Sequence, residues 1–416
     1  MAEAAPASLW QASAESLTLS AQLPRETDVV VIGGGVAGVC TALFLARAGR
    51  TVLLLEREGI AAGASGRNGG FLGLGTAPSY PDLVARLGRE RARGLWAITV
   101  ENRDLVRRLI AAERIECDYR EPGHIELALA ESALPALARR QGMLTADGFP
   151  GELLGPARVQ GLVELALSNR VSGGFFTPDV GLMNSVRFVQ GVAKAAAMAG
   201  AQLGRATVHA LQPEGESLRV HTDRGVVLAG AGVVCINAWT RQLLPMLTGI
   251  LTPVRGQLLA TAPLPRAFAC GMSAAVTPTE EYWQQTPDGC IVLGGCRAVR
   301  PDRDVGTEDS APSSDVQTAL ERVLPWLFPA LPSLEITHRW AGLMAFTPDR
   351  LPIVDRIPGL PSAWLLSSCS GHGLSLIPRL AEHVAAAVGG APLPAAVAAL
   401  GLDRPGLAVR PPTGVR

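Results

Sequence analysis

Two short apolar runs, separated by a glycine-rich turn and a helix-length stretch, occupy the start of the chain. Residues 28–32 read Asp-Val-Val-Val-Ile, a β-branched run typical of a strand buried on both faces of a parallel sheet. Residues 36–48 predict a helix that Gly49 would end as a C-terminal cap. Residues 51–55 predict a second strand, so the pattern indicates a β-α-β unit.

The turn inside this unit has the spacing of a dinucleotide-binding motif. In residues 33–38, Gly33 would permit the tight turn, Gly35 would let backbone approach a pyrophosphate, and Gly38 would let the helix pack on the strand. The helix N-terminus would offer free backbone N–H groups to the phosphates. Glu56 follows Gly33 by 23 residues, about where such units place a ribose-binding acid. The motif predicts a dinucleotide site without separating FAD from NAD.

Later segments predict a second, strand-rich region. Residues 81–113 have helical periodicity, whereas residues 117–130 and 256–295 have strand character, with a hairpin-like turn at residues 286–289. Residues 364–368 predict a strand that runs through a glycine-rich turn into a helix at residues 374–388. Residues 300–314, rich in Asp, Pro and Ser, are expected to form an exposed mobile loop or an inert insertion.

Composition narrows the class of ligand. The 416 residues suffice for two domains, and the 37 basic and 37 acidic residues cancel, which argues against nucleic acid or an anionic membrane as partner. Seven cysteines and six histidines show no metal-site spacing, so we expect no metal and reduced thiols in a cytoplasmic protein. We expect no secretory signal, because the N-terminal residues lack a basic and an apolar region, and no membrane span, because glycines and prolines interrupt the apolar stretch at residues 384–400. A small-molecule substrate is therefore favoured.

Several short motifs in order resemble one family. Residues 63–70 read Gly-Ala-Ser-Gly-Arg-Asn-Gly-Gly, and together with later segments they resemble the D-amino acid oxidase-like flavoproteins, in particular the gamma-glutamylputrescine oxidoreductase-like branch. The resemblance covers nearly the whole chain. Its other markers are Ser-Leu-Trp at 8–10, Gly-Leu-Met-Asn at 181–184, Ala-Thr-Val at 206–208, residues 233–239, residues 253–257, Thr-Pro-Asp at 347–349 and Ser-Gly-His-Gly at 370–373.

The resemblance implies an α/β (α+β) fold in which a Rossmann-like FAD-binding domain is interleaved with an antiparallel β-sheet substrate domain. We expect an N-terminal arm at residues 1–27 and a C-terminal tail at 401–416. The FAD-binding domain would comprise residues 28–80, 165–245 and 335–400. The substrate domain would comprise residues 81–164 and 246–334.

Candidate site residues follow from the motif and the resemblance together. His372 is the sharpest catalytic candidate because an imidazole beside a flavin could accept a proton near neutral pH, although it could serve only to orient its loop. Arg67 could bind a substrate carboxylate, stabilise reduced flavin or pair with Glu56 or Glu58. Tyr282 is the third catalytic candidate, since strand alternation would turn either it or its neighbour Trp283 towards a ligand. The expected cofactor-binding residues are Gly33, Gly35, Val36, Ala37, Gly38, Glu56, Arg57, Ser65, Arg67, Asn68, Gly69, Val208, Asn237, Gly371, His372, Gly373 and Leu374.

The implied chemistry is oxidation of the C–N bond of an amine or amino acid by hydride transfer to FAD. The imine would be hydrolysed, and oxygen as acceptor would give hydrogen peroxide. The sarcosine-oxidase branch has lysines that align with Val292 and Ser375 and a flavin-linking cysteine near Gly342, and all three are missing here. We therefore expect noncovalent FAD. The alternatives are a dehydrogenase that passes electrons to a quinone or protein, and a flavin-binding subunit without turnover.

Overall fold

A computed structural model describes residues 6–407. Within these residues the α-helices are, in chain order, α1 (Leu9–Ala12), α2 (Val36–Arg47), α3 (Tyr80–Leu87), α4 (Arg89–Ala112), α5 (Leu134–Ala146), α6 (Pro156–Gln160), α7 (Ser185–Met198), α8 (Thr240–Leu243), α9 (Ser314–Leu327), α10 (Gly373–Val388) and α11 (Ala395–Ala398). The predicted extremes of the chain, residues 1–5 of the arm and 408–416 of the tail, lie outside the described residues.

The strands form two large sheets and one small pair. In chain order they are β1 (Glu26–Ile32), β2 (Val52–Glu56), β3 (Phe71–Leu72), β4 (His124–Ala128), β5 (Glu152–Leu154), β6 (Gly173–Thr177), β7 (Gly181–Leu182), β8 (Gln202–Arg205), β9 (Val208–Glu214), β10 (Ser217–Thr222), β11 (Gly225–Val234), β12 (Thr252–Thr261), β13 (Gly271–Ala274), β14 (Glu281–Gln285), β15 (Ile291–Gly294), β16 (Ile336–Phe346), β17 (Ile353–Ile357) and β18 (Leu360–Ser367).

The first sheet, called the nucleotide sheet here, has the order β17-β18-β11-β1-β2-β8, with β10 and β9 continuing from β11. Strand β1 lies parallel to both β2 and β11, as its doubly buried apolar run predicts. Val29 and Val31 face a core shared with helices α2, α7 and α10. Val30 and Ile32 face the opposite core, beneath the β9–β10 hairpin. The β-α-β unit at the start of the chain is confirmed.

The second sheet, called the roof sheet here, has the order β16-β12-β15-β14-β13-β4-β6-β5. It is antiparallel except for β13 and β4, which pair in parallel, so it is mixed rather than purely antiparallel. The predicted hairpin is present, because β14 and β15 pair across residues 286–290. Helix α9 covers one face, where Trp283 is fully buried. The interleaved α/β architecture is confirmed.

Some predicted boundaries differ in the structure. The stretch of helical periodicity at residues 81–113 forms two helices, because Gly88 adopts a positive φ of 81° that an α-helix cannot contain. Strands β6 and β16 lie in segments assigned to the FAD-binding domain, yet they pair within the roof sheet. Chain segments therefore change sheets after Thr177 and after Phe346. Which sheet a strand joins is decided by pairing between segments that are distant in the chain, and the local sequence of the strand does not encode that choice.

Two further segments are attached more tightly than predicted. Helix α4, assigned to the substrate domain, packs on α10: Asn102 donates to the Leu374 carbonyl at 2.8 Å and accepts from the Arg379 backbone at 3.0 Å. The expected mobile loop at 300–314 is largely exposed, but Asp304 within it is fully buried. Asp304 accepts hydrogen bonds at 2.7 Å from Arg255 and from Gln257, which hold the loop against β12.

Candidate active site

The turn between β1 and α2 requires glycine at two positions. Gly33 has a φ of 111°, and a Cβ on it would lie 2.7 Å from the carbonyl oxygen of Cys235. A Cβ on Gly38 would lie only 1.8 Å from the carbonyl oxygen of Gly33. Helix α2 can therefore begin directly against the end of β1, with its N-terminal amides turned towards a ligand.

Polar side chains complete the surroundings of this helix terminus. Ser65 Oγ accepts from the Val36 amide at 2.9 Å, so the following loop is joined to the helix. The Glu56 carboxylate accepts from the backbone of Gly34 at 2.7 Å and of Glu58 at 2.8 Å. These amides fix the carboxylate at the end of β2, where the sequence motif places a ribose-binding acid.

The loop at residues 63–70 is folded by Asn68. Its amide nitrogen donates to the carbonyls of Ala64 and Ser65, and its oxygen accepts from the Gly70 amide at 2.8 Å. The N-terminal arm closes over the loop, since Trp10 Nε1 donates to the Asn68 carbonyl at 2.6 Å. Asn68 therefore shapes the loop mainly by holding its backbone.

Arg67 is engaged with backbone oxygens rather than with an acid. Its guanidinium donates to the carbonyls of Pro6, Ala62 and Ala341. Burial lowers its pKa, and the charge of Glu58 opposes that shift. The arm, the loop and β16 are joined by this one side chain, which also borders the central cavity. The sequence left three roles open for Arg67: binding a substrate carboxylate, stabilising reduced flavin, or pairing with Glu56 or Glu58. The geometry holds a fixed positive charge beside the loop and provides no ion pair to Glu56.

The second helix terminus at the site follows β18. Ser368, Ser370 and Gly371 have positive φ values of 67°, 49° and 91°, which turn the chain sharply into α10. His372 is the N-cap residue of α10 and is half-buried. Burial lowers its pKa, a nearby Ser370 carbonyl opposes the shift, and the charge of Arg350 adds to it. The imidazole is therefore neutral near pH 7 and able to accept a proton.

One cavity of about 1600 Å³ joins these parts. Its volume exceeds the ~300–1,000 Å³ of a site for one drug-sized molecule, so it has room for a dinucleotide and a substrate. It is bordered by the α2 terminus, the 63–70 loop, Val208, Asn237 and the α10 terminus. Every predicted site residue borders it except Gly38, whose role is the close packing of α2.

The roof sheet covers the other side of the cavity. Strand pairing aligns Phe175, Glu126, Ser273, Tyr282 and Gly294 in one row across neighbouring strands. A Cβ on Gly69 would lie 2.8 Å from the Tyr282 ring, so the tyrosine packs directly on the 63–70 loop. Burial raises the pKa of Tyr282 to about 12, which keeps its phenol neutral. As predicted for one residue of the pair, Tyr282 faces the cavity and Trp283 the core.

Several residues that border the cavity were not predicted from the sequence. His124 borders the cavity, and burial followed by the charge of Arg140 lowers its pKa to about 4. The missed residues at the substrate end are His124, Glu126, Arg140, Ser273, Glu280, Arg297 and Arg350. Strand alternation alone would have placed Glu126 and His124 on one face, but not on the face that meets the cavity.

The cavity fits FAD by its volume and its hydrogen-bond donors. Gly33 and Gly38, which have no space for a Cβ atom, lie where the backbone would meet a pyrophosphate, and Glu56 lies at the position of the ribose-binding acid. The N-terminus of α10 provides a second positive dipole end along the same cavity. Among residues 6–407, no cluster of potential metal ligands is present, and no helix is long and apolar enough to cross a membrane.

Comparisons with known proteins agree with this fit. The family described as FAD dependent oxidoreductase matches residues 28–387. Gamma-glutamylputrescine oxidoreductase of Escherichia coli is 27% identical over 359 residues, covering 84% of this chain and 80% of that protein. A D-amino acid dehydrogenase of Cereibacter sphaeroides is 29% identical over 392 residues, covering 83% and 87%. The structure of glycine oxidase from Geobacillus kaustophilus is similar in fold, with a TM-score of 0.78, 22% identity and coverage of 92% and 99%.

Proposed function

This chain belongs to the family of FAD dependent oxidoreductases, and from that premise we propose that it oxidises the C–N bond of an amine or amino acid with noncovalently held FAD. Bound FAD would supply the hydride acceptor, so that the substrate becomes an imine that water hydrolyses. The observation that carries the proposal is the single cavity bounded by both helix termini and by the roof sheet. It could hold the cofactor along the nucleotide sheet and a small molecule beneath Tyr282.

The residues would divide the work of binding. The α2 amides, Ser65 and Glu56 would hold the diphosphate and ribose, and Val208 would border the adenine. The 63–70 loop and the α10 terminus would hold the flavin ring. Phe71 and Tyr282, whose ring centroids lie 6.0 Å apart at an interplanar angle of 87°, would exclude water from the reacting carbon.

A neutral amine is the form that can be oxidised, so a proton must leave the substrate ammonium. His372 is neutral, half-buried and at the cavity wall, which suits a proton acceptor. Tyr282 is protonated at neutral pH and suits a hydrogen-bond donor. Arg67, held by three carbonyls, would contribute a fixed positive charge to the flavin side of the site.

Noncovalent attachment is supported by the cysteines at the cavity. Cys235 and Cys369 both border it, and burial raises their pKa values to about 12 and about 11. Thiols that stay protonated are poor nucleophiles towards a flavin. All seven cysteines are free, which also supports the proposed cytoplasmic location.

The identity of the electron acceptor decides whether the protein is an oxidase or a dehydrogenase. Oxygen would give hydrogen peroxide and make the protein an oxidase. Val292 is buried at 1% exposure on the face of the roof sheet opposite to α9, and it offers no positive charge to an oxygen molecule, which favours a dehydrogenase with another acceptor. Similarity to a D-amino acid dehydrogenase supports the same alternative.

Three measurements test these proposals. Anaerobic mixing of the FAD-loaded protein with a broad panel of primary, secondary and amino-acid amines should bleach the flavin absorbance with at least one of them; bleaching by none contradicts amine oxidation. Mixing the reduced protein with oxygen then separates the acceptors, because fast recovery of absorbance supports the oxidase and slow recovery the dehydrogenase. Acid precipitation should release the flavin into the supernatant.

A further inference from the structure

The row of residues that strand pairing aligns across the roof sheet, from Phe175 to Gly294, includes polar groups that the proposed oxidation does not require. Glu126 and Ser273 face the cavity in the same row as Tyr282, on the two strands beyond it. Neighbouring strands lie ~4.8 Å apart, so Glu126 lies about 10 Å from Tyr282 along the row. Arg140 pairs with Glu126 at 2.7 Å and covers the Phe175 ring at 3.9 Å. This pair accounts for the charge of Glu126.

Glu280 adds a carboxylate that Arg140 does not pair with. It immediately precedes β14, borders the cavity and has a positive φ of 54°, a conformation that glutamate rarely adopts. Its neighbour Glu281 is fully buried and accepts from Thr277 and from the Cys296 amide. The strained backbone at Glu280 turns the two successive acids in different directions. Glu281 holds the surrounding backbone, and Glu280 faces the cavity.

The surroundings of Glu280 disfavour its unpaired charge. Burial raises the pKa of this carboxyl and the charge of Glu126 raises it further, whereas the nearby Ser273 hydroxyl and the charge of Arg140 oppose the rise. Ser273 is 2% exposed, and its Oγ has no hydrogen-bond partner within the described part of the chain. Burying a hydroxyl without a hydrogen-bond partner is costly, and the position of Ser273 on the cavity wall points to a ligand group as the missing partner. A cation bound here would satisfy both the hydroxyl and the carboxylate.

We propose that Glu280 and Ser273, beside the Glu126–Arg140 pair, form a subsite for a second, unreactive ammonium group of the substrate, so that the preferred substrates are diamines or amines with a distal cation. The inference rests on the proposed amine oxidation. A carboxylate beside the reacting nitrogen would stabilise its protonated form, which cannot be oxidised, so these acids suit a nitrogen remote from the reacting carbon.

The opposite side of Tyr282 has the opposite charge, which gives the substrate a direction. Arg297 and Arg350 both border the cavity there, and their guanidinium carbons lie 5.6 and 5.5 Å from the centroid of the Phe346 ring. Burial and the charge of Arg350 lower the pKa of Arg297, as expected for neighbouring cations. A distal ammonium would be repelled from this side and attracted to Glu280.

The test compares unbranched α,ω-diamines with monoamines of equal carbon number on the FAD-loaded protein. Anaerobic stopped-flow bleaching over a range of amine concentrations separates affinity from the limiting rate. At least one diamine should have an affinity about tenfold or more above that of its monoamine, the size expected for a charge-assisted hydrogen bond in a partly buried site. Glu280→Gln should remove that difference while leaving monoamine affinity within about twofold, and Ser273→Ala should reduce it partly.

Glu216→Gln is the matched control, because it removes the same charge from an exposed turn far from the cavity. Equal affinity for diamines and monoamines, or a diamine preference that survives Glu280→Gln, overturns the subsite. If no amine bleaches the flavin, amine oxidation fails separately. Calorimetric titration of the same protein with a diamine then decides the subsite: binding lost in Glu280→Gln supports it, and binding unchanged in that variant refutes it.

Discussion

A methyl group at position 38 has no room between helix α2 and the end of strand β1. Its carbon would lie 1.8 Å from the Gly33 carbonyl oxygen, where an ordinary contact needs at least 3.4 Å. In Gly38→Ala the first turn of α2 must therefore move away by about 1.6 Å, since the obstacle is backbone and cannot rotate aside. The amides that would hold the diphosphate move with it.

The magnitude follows from the hydrogen bonds that such a shift breaks. A hydrogen bond from a backbone amide to a charged group contributes ~1.5–3 kcal/mol, and a displacement above 1 Å breaks or bends each one. Losing two of them costs about 3–6 kcal/mol, which weakens FAD binding by roughly 10²–10⁴-fold. Fluorescence titration of the apoprotein with FAD measures this directly.

Two further glycines extend the test. A Cβ on Gly35 would lie 3.0 Å from the Ser65 hydroxyl, and Gly35 is the glycine expected to let backbone approach the pyrophosphate, so Gly35→Ala should also weaken FAD binding. Gly59 has nothing within 4 Å of such a Cβ, and Gly59→Ala should bind FAD like the wild type. Circular dichroism of each apoprotein checks that it is folded. The reasoning is refuted if folded Gly38→Ala retains wild-type affinity, or if Gly59→Ala weakens FAD binding as much as Gly38→Ala does.

Three other expectations concern stability and pH. Asp304→Asn should lower the free energy of unfolding by about 3–5 kcal/mol because it breaks the buried pair with Arg255, whereas Asp309→Asn, which removes the exposed partner of the same arginine, should cost less than ~1 kcal/mol; equal losses of melting temperature would contradict this. His124 has a folded pKa of about 4, below its unfolded value of ~6.5, so the unfolded chain binds more protons and stability falls from pH 7 to pH 5 by about 2 kcal/mol. His124→Gln should reduce that loss in thermal unfolding, and an unchanged loss would show that His124 is not its source. Because Tyr282 has a pKa of about 12, Tyr282→Phe should leave the pH profile of flavin reduction unchanged below about pH 10, and a shifted alkaline limb would refute the neutral phenol.

Much of the cofactor side could be predicted because its signals are local. The apolar run of β1, the glycines after it and the acid at Glu56 lie within one continuous segment, and hydrophobic period and glycine spacing encode such units directly. The α10 terminus is predictable for the same reason, since an apolar strand, a glycine-rich turn and a helix follow one another. The cysteines also behave as the composition suggested, with all seven free.

The substrate side depended on tertiary structure. His124, Glu126, Ser273 and Tyr282 come from strands far apart along the chain, and only the pairing of β4, β13 and β14 brings them to one face of the roof sheet. The interruption between helices α3 and α4 at Gly88 depends on the backbone conformation of that residue, which hydrophobic periodicity does not encode. The sequence by itself determined the nucleotide unit and the class of cofactor, because these depend on contacts between neighbours in the chain. The charges that face the substrate were decided by sheet register, because a shift of one residue in any strand would turn its side chains to the opposite face.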